Sequence, residues 1–572
     1  MRARTWVVTV AAGLVLADAS IVTLALPELL HALETTVEGV AAVIAVYTLV
    51  LAAALLPAER LVRRVGAGVA GAGGFALFAA ASVLCALAGS LPLLLIARGV
   101  QAAGGAVGLV AAFELIAGGT PAGRRHWLGA AVMAAAVGPA LGGALTQAFS
   151  WQAIFVAQIP VAACGAVAAL RTPWRAGPDH RLRRRCPSGR AHPGLPPGAR
   201  ASSPPPARSA LAWDGVALAL VSGSLAAVLF GLVLLLVAGW AVEPLAAAAA
   251  VTVLPLAALV GAQVRLAPRP RALCGALLVG GGVLALAWLP TASVAWTLPP
   301  QALAGVGMGM ALPAFAGELL PERTAREAAR LLTVRHVGIA LVLIALAPLI
   351  AHRLDVVTER AQEQGIALVL DARLPPQDKL TLAPALLGGV EAARPRAGLR
   401  KALADNGGSY AGAERLAYDQ LAHRADDVLV SAVGDAFRIA FAIAGALALL
   451  GAAALAPGAR RRALPAAALA GVAALTIGLP AAYAALHHRD EPAPVVLADP
   501  CKPRRLPGTG GISGFIQDRA LQALDATACR FHSTREELVL ALASDRAAKR
   551  FQARHGVDPR SITSILQNLL SP

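Results

Sequence analysis

The sequence predicts an all-α polytopic membrane protein, and two observations carry that expectation. Of 572 residues, 57% are hydrophobic and only 15% charged, against about 25% charged in an ordinary soluble domain. Apolar runs of about 18 residues or more recur along the chain, each long enough to cross a bilayer core roughly 30 Å thick. Inside lipid such runs must be helical, because no water is present to satisfy an open backbone.

Thirteen runs read as spans, at 6–30, 40–56, 68–89, 91–117, 127–148, 152–171, 211–237, 243–264, 271–290, 294–318, 333–352, 436–457 and 464–486. The first run follows Arg2 and Arg4 but is too long for the apolar core of a cleaved signal, so it is read as a retained helix. The net charge of +17 comes from arginines in short loops between apolar runs. After even-numbered spans stand Arg60, Arg63 and Arg64, then Arg124 and Arg125, Arg265, Arg269 and Arg271, Arg323, Arg326 and Arg330, and Arg460 to Arg462. The short loops after odd-numbered spans hold little beyond His31, Glu34, Glu38 and Glu243. Cationic loops stay on the cytoplasmic side, so the expected topology in the plasma (inner) membrane has a cytoplasmic N-terminus and, after thirteen crossings, an extracytoplasmic C-terminus. Nothing in the chain has the motif or the aromatic–basic groove of a nucleic-acid binder.

Residues 172–210 read as a basic, proline-rich cytoplasmic linker, with Arg181, Arg183, Arg184, Arg185 and Pro204 to Pro206. Such a stretch cannot bury enough surface to fold alone; it is either a plain hinge or a site for anionic lipid. Residues 353–435 and 487–572 read as two extracytoplasmic segments, an insertion and a helical tail, either of which offers a surface for an envelope partner. In the tail, Ser533 and Glu536 have capping-box spacing ahead of Leu538, Leu540 and Leu542. Cys85, Cys164 and Cys274 fall inside spans, and Cys186 lies in the linker. Cys501 and Cys529 share the external tail, as a disulfide or as a coincidental free pair. No cysteine–histidine spacing makes a metal site, and no nucleophile with a base lies in the spans, so the chain is not read as an enzyme.

Four motifs narrow the class. The first span carries Leu16-Ala17-Asp18-Ala19-Ser20-Ile21-Val22-Thr23-Leu24-Ala25-Leu26-Pro27. It resembles the LDxTIVNVALP signature of the fourteen-helix drug:proton antiporter branch of the major facilitator superfamily. Independently of any family, a carboxylate deep in an apolar helix costs from about 2.5 kcal/mol upward. Such a group is expected either to face an aqueous cavity, where it binds and releases a proton, or to bond a neighbouring helix. The fourth span opens with Arg98, Gln101 and Gly104, similar to RxxQGxGxA of the same branch, with Ala102 in place of a glycine. Arginine keeps its proton and needs a partner, and the resemblance implies Asp18. Gly138-Pro139-Ala140-Leu141-Gly142-Gly143 resembles the antiporter motif GPxxGG, and Trp151, Ile154, Phe155 and Pro160 follow in the WxxIFxxxxP pattern, with Gln158 for the usual asparagine.

The second half is thinner. Glu243-Pro244-Leu245 resembles GxxPLxAG, and Thr333-Val334-Arg335-His336-Val337-Gly338 resembles TxRQxG. His336 there either titrates or sits at an interface satisfied by water. The stretch from Glu59 to Gly68 departs from the family's gating loop GxLaDrxGrR: Arg63 takes the aspartate position and Gly68 that of the second arginine. The gate is thus missing or rebuilt around Glu59, with Arg60, Arg63, Arg64 and Arg335 as the charged candidates.

The resemblance covers roughly residues 6–350 and implies a major facilitator fold of two six-helix bundles, 1–171 and 211–352 with 436–457. One extra transmembrane helix lies in 458–486. It implies a proton-coupled exporter of small amphipathic or cationic molecules, without a cofactor, driven by the proton gradient. Asp18 and Arg98 would couple the proton. Gln101, Ser20, Thr23 and Glu114 are the cavity candidates, Glu114 and Glu318 being otherwise interfacial acids. The alternative is a degenerate transporter fold acting as a membrane scaffold or receptor through its external segments.

Overall fold

A computed structural model describes residues 3–117, 121–172, 208–316, 318–320, 324–390, 395–408, 410–459, 466–490, 495–504, 506–509 and 511–559. The linker expected at 172–210 lies outside these residues except at its ends, as do Cys186, Arg323 and Arg460 to Arg462. The described residues are helical throughout, apart from turns and one isolated bridge between Ala316 and Leu320. Eleven described helices are long and apolar enough to cross a membrane. The chain divides into two units, the first Met1–Leu234, Val242–Ala351 and Arg438–His488, the second Leu235–Ala241, His352–Phe437 and Arg489–Pro572.

The first unit begins with α1 (Ala3–Thr23) and the short α2 (Leu26–Ala32). The single span expected at 6–30 is therefore broken at Leu24 and Ala25. Pro27 suits the break: it has no N–H to continue the hydrogen-bond ladder and stands in the first turn of α2. Next come α3 (Val37–Val65), α4 (Ala67–Ala86), α5 (Leu91–Ala117), α6 (Pro121–Ala148) and α7 (Trp151–Arg171). The gating segment at 59–64 is no loop. It continues α3 to Val65, and the whole turn into α4 is Gly66, whose φ of +93° suits a residue without Cβ.

The other half contains α8 (Arg208–Val233), running on as a π-helix to Gly239, then α9 (Pro244–Gly261), α10 (Pro268–Ala285), α11 (Val294–Phe315) and the first part of α12 (Ala325–Asp371). It is completed by the later part of α15 (Gly412–Ala459) and by α16 (Ala466–Asp490). The spans expected at 127–148 and 294–318 are helices α6 and α11 but are not among the eleven. In α11 the apolar run is diluted by Pro299, Pro300 and Gln301; in α6 several side chains lie outside those described.

The core of this unit packs Tyr47, Leu51 and Leu55 of α3, Phe75 and Phe78 of α4, Leu109 and Phe113 of α5 and Trp127 of α6. Ala325, Ala328, Ala329 and Leu332 of α12 belong to the same cluster. Thr333 donates from Oγ1 to the Ala52 carbonyl of α3 (3.2 Å), so the start of α12 is tied to the first half by packing and by a hydrogen bond. The helix α16 is held by Tyr483, which donates to the Trp296 carbonyl (2.9 Å), and by His487 against the Leu289 carbonyl (2.8 Å).

In the second unit, the insertion expected at 353–435 falls within the segment His352–Phe437, but the ends of that segment are not helix boundaries. No proline separates Ile350 from Ala372, and α12 continues to Asp371, while α15 already starts at Gly412. Between them lie α13 (Pro376–Val390) and α14 (Pro395–Asn406). Arg396 of α14 grips Asp426 of α15 through two hydrogen bonds, 2.9 and 2.8 Å, the forked geometry that suits guanidinium and carboxylate. The tail forms α17 (Gly511–Arg530), α18 (Arg535–Ala543) and α19 (Asp545–His555). Its cap is Thr534, which accepts from the Glu537 amide (3.0 Å), one residue beyond the Ser533 and Glu536 pairing expected. The later choice leaves Glu536 fully buried between Arg535 (2.9 Å) and Arg504 (3.1 Å), while Arg535 also reaches Asp371 (2.9 Å). Cys501 and Cys529 are joined by a disulfide, with 5.1 Å between their Cα atoms.

Candidate functional site

Asp18, on α1, is fully buried within the first half. Its Oδ2 lies 2.7 Å from Arg98 Nη2 of α5. Around this ion pair the side chains close a ring. Arg98 Nη1 donates to Gln101 Oε1 (2.6 Å), Gln101 Nε2 to Gln158 Oε1 of α7 (2.9 Å), and Gln158 Nε2 to Asp18 Oδ1 (2.8 Å). Gln101 also donates to Ser82 of α4 (2.9 Å), and Arg98 Nε to the Val43 carbonyl of α3 (3.4 Å). The Tyr47 ring covers the guanidinium at 4.1 Å, while its hydroxyl donates to the Val15 carbonyl (3.0 Å). Five helices therefore meet on one neutral, hydrogen-bonded assembly. Hydrogen bonds beyond the ion pair itself offset part of the cost of burying the two charges.

Of the two arrangements expected of Asp18, the structure has the bond to neighbouring helices and not the contact with water. Neither Asp18 nor Arg98 lines the cavity of the first unit, and both are sealed from solvent. The reason is local: Gln158, two residues before Pro160, supplies the second hydrogen bond that a hydrated carboxylate would take from water. The sequence marks Gln158 only as a substitution in a motif, and Tyr47 and Ser82 carry no signal in it at all.

The cavity itself, about 150 Å³, lies among α1, α3, α6, α8, α9, α11 and α12. Ser20 and Thr23 line it as expected; Gln101 and Glu114 do not. Gln101 is held in the ring, and Glu114, half-buried on α5, is outside the lining. Thr48, Ser222, Gln301, Arg335 and His336 supply the remaining polar lining among the described residues, and the rest is aliphatic apart from Met308 and two prolines. His336 is not the water-satisfied interfacial histidine of the sequence reading. It is buried against its own helix, Nδ1 lying 2.7 Å from the Leu332 carbonyl.

The antiporter-like segment of α6 sits between α1 and α9. A Cβ on Gly138 would meet Ser20 Oγ, one on Gly142 would meet the Ile21 carbonyl, and one on Gly143 would meet Ala248 of α9. Gln147 accepts from the Leu245 amide of α9 (2.7 Å), and Pro139 lines the cavity. The small residues thus let one helix touch both halves at backbone distance, as close membrane helix packing requires. At the end of α3, Glu59 is buried and pairs with Arg63 one turn on (2.8 Å), while Arg60 and Arg64 are exposed. Arg335 stands among the cavity lining rather than beside these residues. Glu318 pairs with Arg271 (3.0 Å), and Asp214 with Arg269 (2.8 Å).

Helices from both halves around a central cavity, with irregular or proline-bearing helices beside it, form the architecture of a secondary membrane transporter. The Major Facilitator Superfamily model matches residues 8–348, and the chain belongs to that family. Among curated relatives, the methylenomycin A resistance protein of Streptomyces coelicolor is 30% identical over 167 residues, 28% of this chain and 35% of the relative. The drug efflux pump JefA of Mycobacterium tuberculosis is 30% identical over 156 residues, 26% of this chain and 31% of the pump. The putative multidrug resistance protein MdtD of Escherichia coli is 32% identical over 180 residues, 30% and 37% of the two chains. The chain thus spans about a third of the length of these relatives. A solved bacterial homologue of the human lysosomal transporter Spinster, inward-facing and occupied, shares the fold. It aligns with a TM-score of 0.52 at 16% identity, over 81% of this chain and 98% of the other.

Proposed function

We propose that the protein is a proton-coupled exporter of small amphipathic molecules, and that the buried Asp18–Arg98 ring is the closed state of its proton latch. The observation that carries this is the position of α1. One side of that helix presents Asp18 to the ring, and residues two and five further on, Ser20 and Thr23, line the cavity. Protonating Asp18 removes the negative partner of Arg98, and a buried arginine without a counter-charge is unstable. The guanidinium then keeps only Gln101 and the Val43 carbonyl, which it already engages, and α1 is released from α5 and α7. Because α1 touches α6 at Gly138 and Gly142, and α6 touches α9 at Gly143, a shift of α1 is passed to the opposite half. Membership of a transporter family and likeness to efflux and resistance proteins support export. The cavity of about 150 Å³ is below the roughly 300–1,000 Å³ of drug-sized sites, so it must widen to admit a substrate of that size.

The arginine bias of the loops supports a cytoplasmic N-terminus in the plasma membrane, and the thirteenth helix, α16, then carries the tail outside. The test of function is purified protein in liposomes with an imposed proton gradient and fluorescent amphipaths of positive, zero and negative charge. Uphill movement of at least one, abolished by a protonophore and absent from empty liposomes, is expected. Movement indifferent to the protonophore rejects proton coupling, and no movement of any probe rejects export of this class.

A further inference from the structure

The second unit has a concavity of its own, about 470 Å³, within the roughly 300–1,000 Å³ of small-molecule sites. Three pieces of chain wall it. The end of α12 brings Leu368 and Asp371, with Arg373 just beyond the helix. One face of α15 brings Leu421 and, on the neighbouring turn, Arg424. Val495 and Val496 form the third side. That last segment is tied in place at several points: Gln364 of α12 donates to the Val495 carbonyl (3.4 Å), Arg504 donates to the Ala498 carbonyl (2.8 Å), and Cys501 is bridged to Cys529 of α17.

Two guanidiniums stand in this wall against one carboxylate. The carboxylate, Asp371, is taken by Arg535 (2.9 Å). Arg373 and Arg424 have neither an ion-pair nor a hydrogen-bond partner among the described residues. By contrast, Arg396 and Arg400 pair with Asp426, and Arg550 and Arg554 with Glu359. Two arginines from separate stretches of chain are thus left to one space, beside apolar groups that can cover a small organic body.

We infer that this concavity is a binding site for a small organic anion, a phosphonate, phosphate or carboxylate on a compact apolar body. It shares no lining residue with the cavity of the first unit. Arginine suits the role because it stays charged and offers a planar fork to such groups. Both arginines are exposed, so water screens each contact. Losing one charge-assisted contact should then weaken binding about tenfold.

The test is equilibrium dialysis of the full chain, purified in nanodiscs of zwitterionic lipid, with phenylphosphonate, inorganic phosphate and benzylamine. Phenylphosphonate is expected to bind saturably and at least tenfold tighter than inorganic phosphate, and benzylamine not to saturate. Arg373→Gln and Arg424→Gln should each weaken phenylphosphonate about tenfold, and the double variant should abolish its saturable binding. Thermal melts of all three variants, changed at exposed positions, show that they are folded. In nanodiscs containing phosphatidylglycerol the affinity should be unchanged; a tenfold loss there would give the site to a lipid headgroup and overturn the assignment to a soluble anion. The inference is also overturned by no saturable binding of phenylphosphonate, by benzylamine or inorganic phosphate binding as tightly, or by phenylphosphonate binding that survives the double substitution. Transport enters none of these readings, so this assignment and the exporter reading fail independently.

Discussion

Replacing Asp18 with asparagine removes the negative member of a fully buried pair and leaves the Arg98 guanidinium beneath Tyr47 with amide and carbonyl partners alone. Two unit charges about 4 Å apart at an effective dielectric of about 20 interact by about 4 kcal/mol. Breaking a buried pair from one side generally costs about 3–5 kcal/mol. The expected loss for Asp18→Asn is therefore about 3–5 kcal/mol, and Arg98→Gln should lose a similar amount. The double variant removes both charges together and leaves neutral groups able to hydrogen-bond. It should recover at least about 2 kcal/mol relative to the sum of the single losses. The assay is reversible unfolding of the purified protein in mixed micelles, followed by tryptophan fluorescence and by protease resistance of α1. Single variants within about 0.5 kcal/mol of the parent, or strictly additive losses, would refute the reasoning that the ring is a coupled unit.

Other expectations follow from the same geometry. Gln158→Leu removes a donor from Asp18 and an acceptor from Gln101, and should cost about 2–4 kcal/mol in the same unfolding assay. Gly142→Leu drives a side chain into the Ile21 backbone, which should lower stability by about 1–3 kcal/mol or more and block movement in liposomes. In the second unit, burial pushes the Lys379 ammonium down to about 8, against 10.5 for a free lysine, with Asp371 opposing the shift and Arg535 adding to it. The unfolded chain then holds more protons than the folded one between those values, so this contribution is full above about pH 10.5 and is lost as pH falls to about 8. Melting curves across that window should show a stability rise with pH that Lys379→Met flattens. The bridge between Cys501 and Cys529 closes 28 residues of chain, for which loop entropy predicts about 3–4 kcal/mol. Reduction should make residues 495–559 protease-sensitive, and an impermeant thiol reagent applied from outside the cell should label these cysteines only after reduction.

Most of the fold was legible in the sequence, because a run of apolar residues long enough for a bilayer has no structure open to it but a helix. The breaks were harder to see. Pro27 lies within an otherwise apolar run, and its effect depends on where the preceding turn runs out of hydrogen bonds. The extension of α12 to Asp371 was hidden for the opposite reason: hydropathy falls at His352 and Arg353 while helical propensity does not. Motif spacing named Asp18, Arg98 and Gln101 as a group but could not orient them. The direction of a side chain around a helix axis depends on packing partners such as Gln158, Ser82 and Tyr47, which stand on three other helices. Ser20 and Thr23 reach the cavity because they sit on the α1 face away from Asp18, whereas Glu114 on α5 lies outside its lining. The apolar alternation of membrane helices, unlike that of soluble ones, does not say which face is interior.

The role of the ring as a proton latch is tested most directly by the double variant Asp18→Asn with Arg98→Gln, reconstituted beside the parent protein in the same liposomes. The account predicts that it still exchanges substrate down a concentration gradient, while an imposed proton gradient no longer drives accumulation. Accumulation at the parent's level in that variant would contradict it.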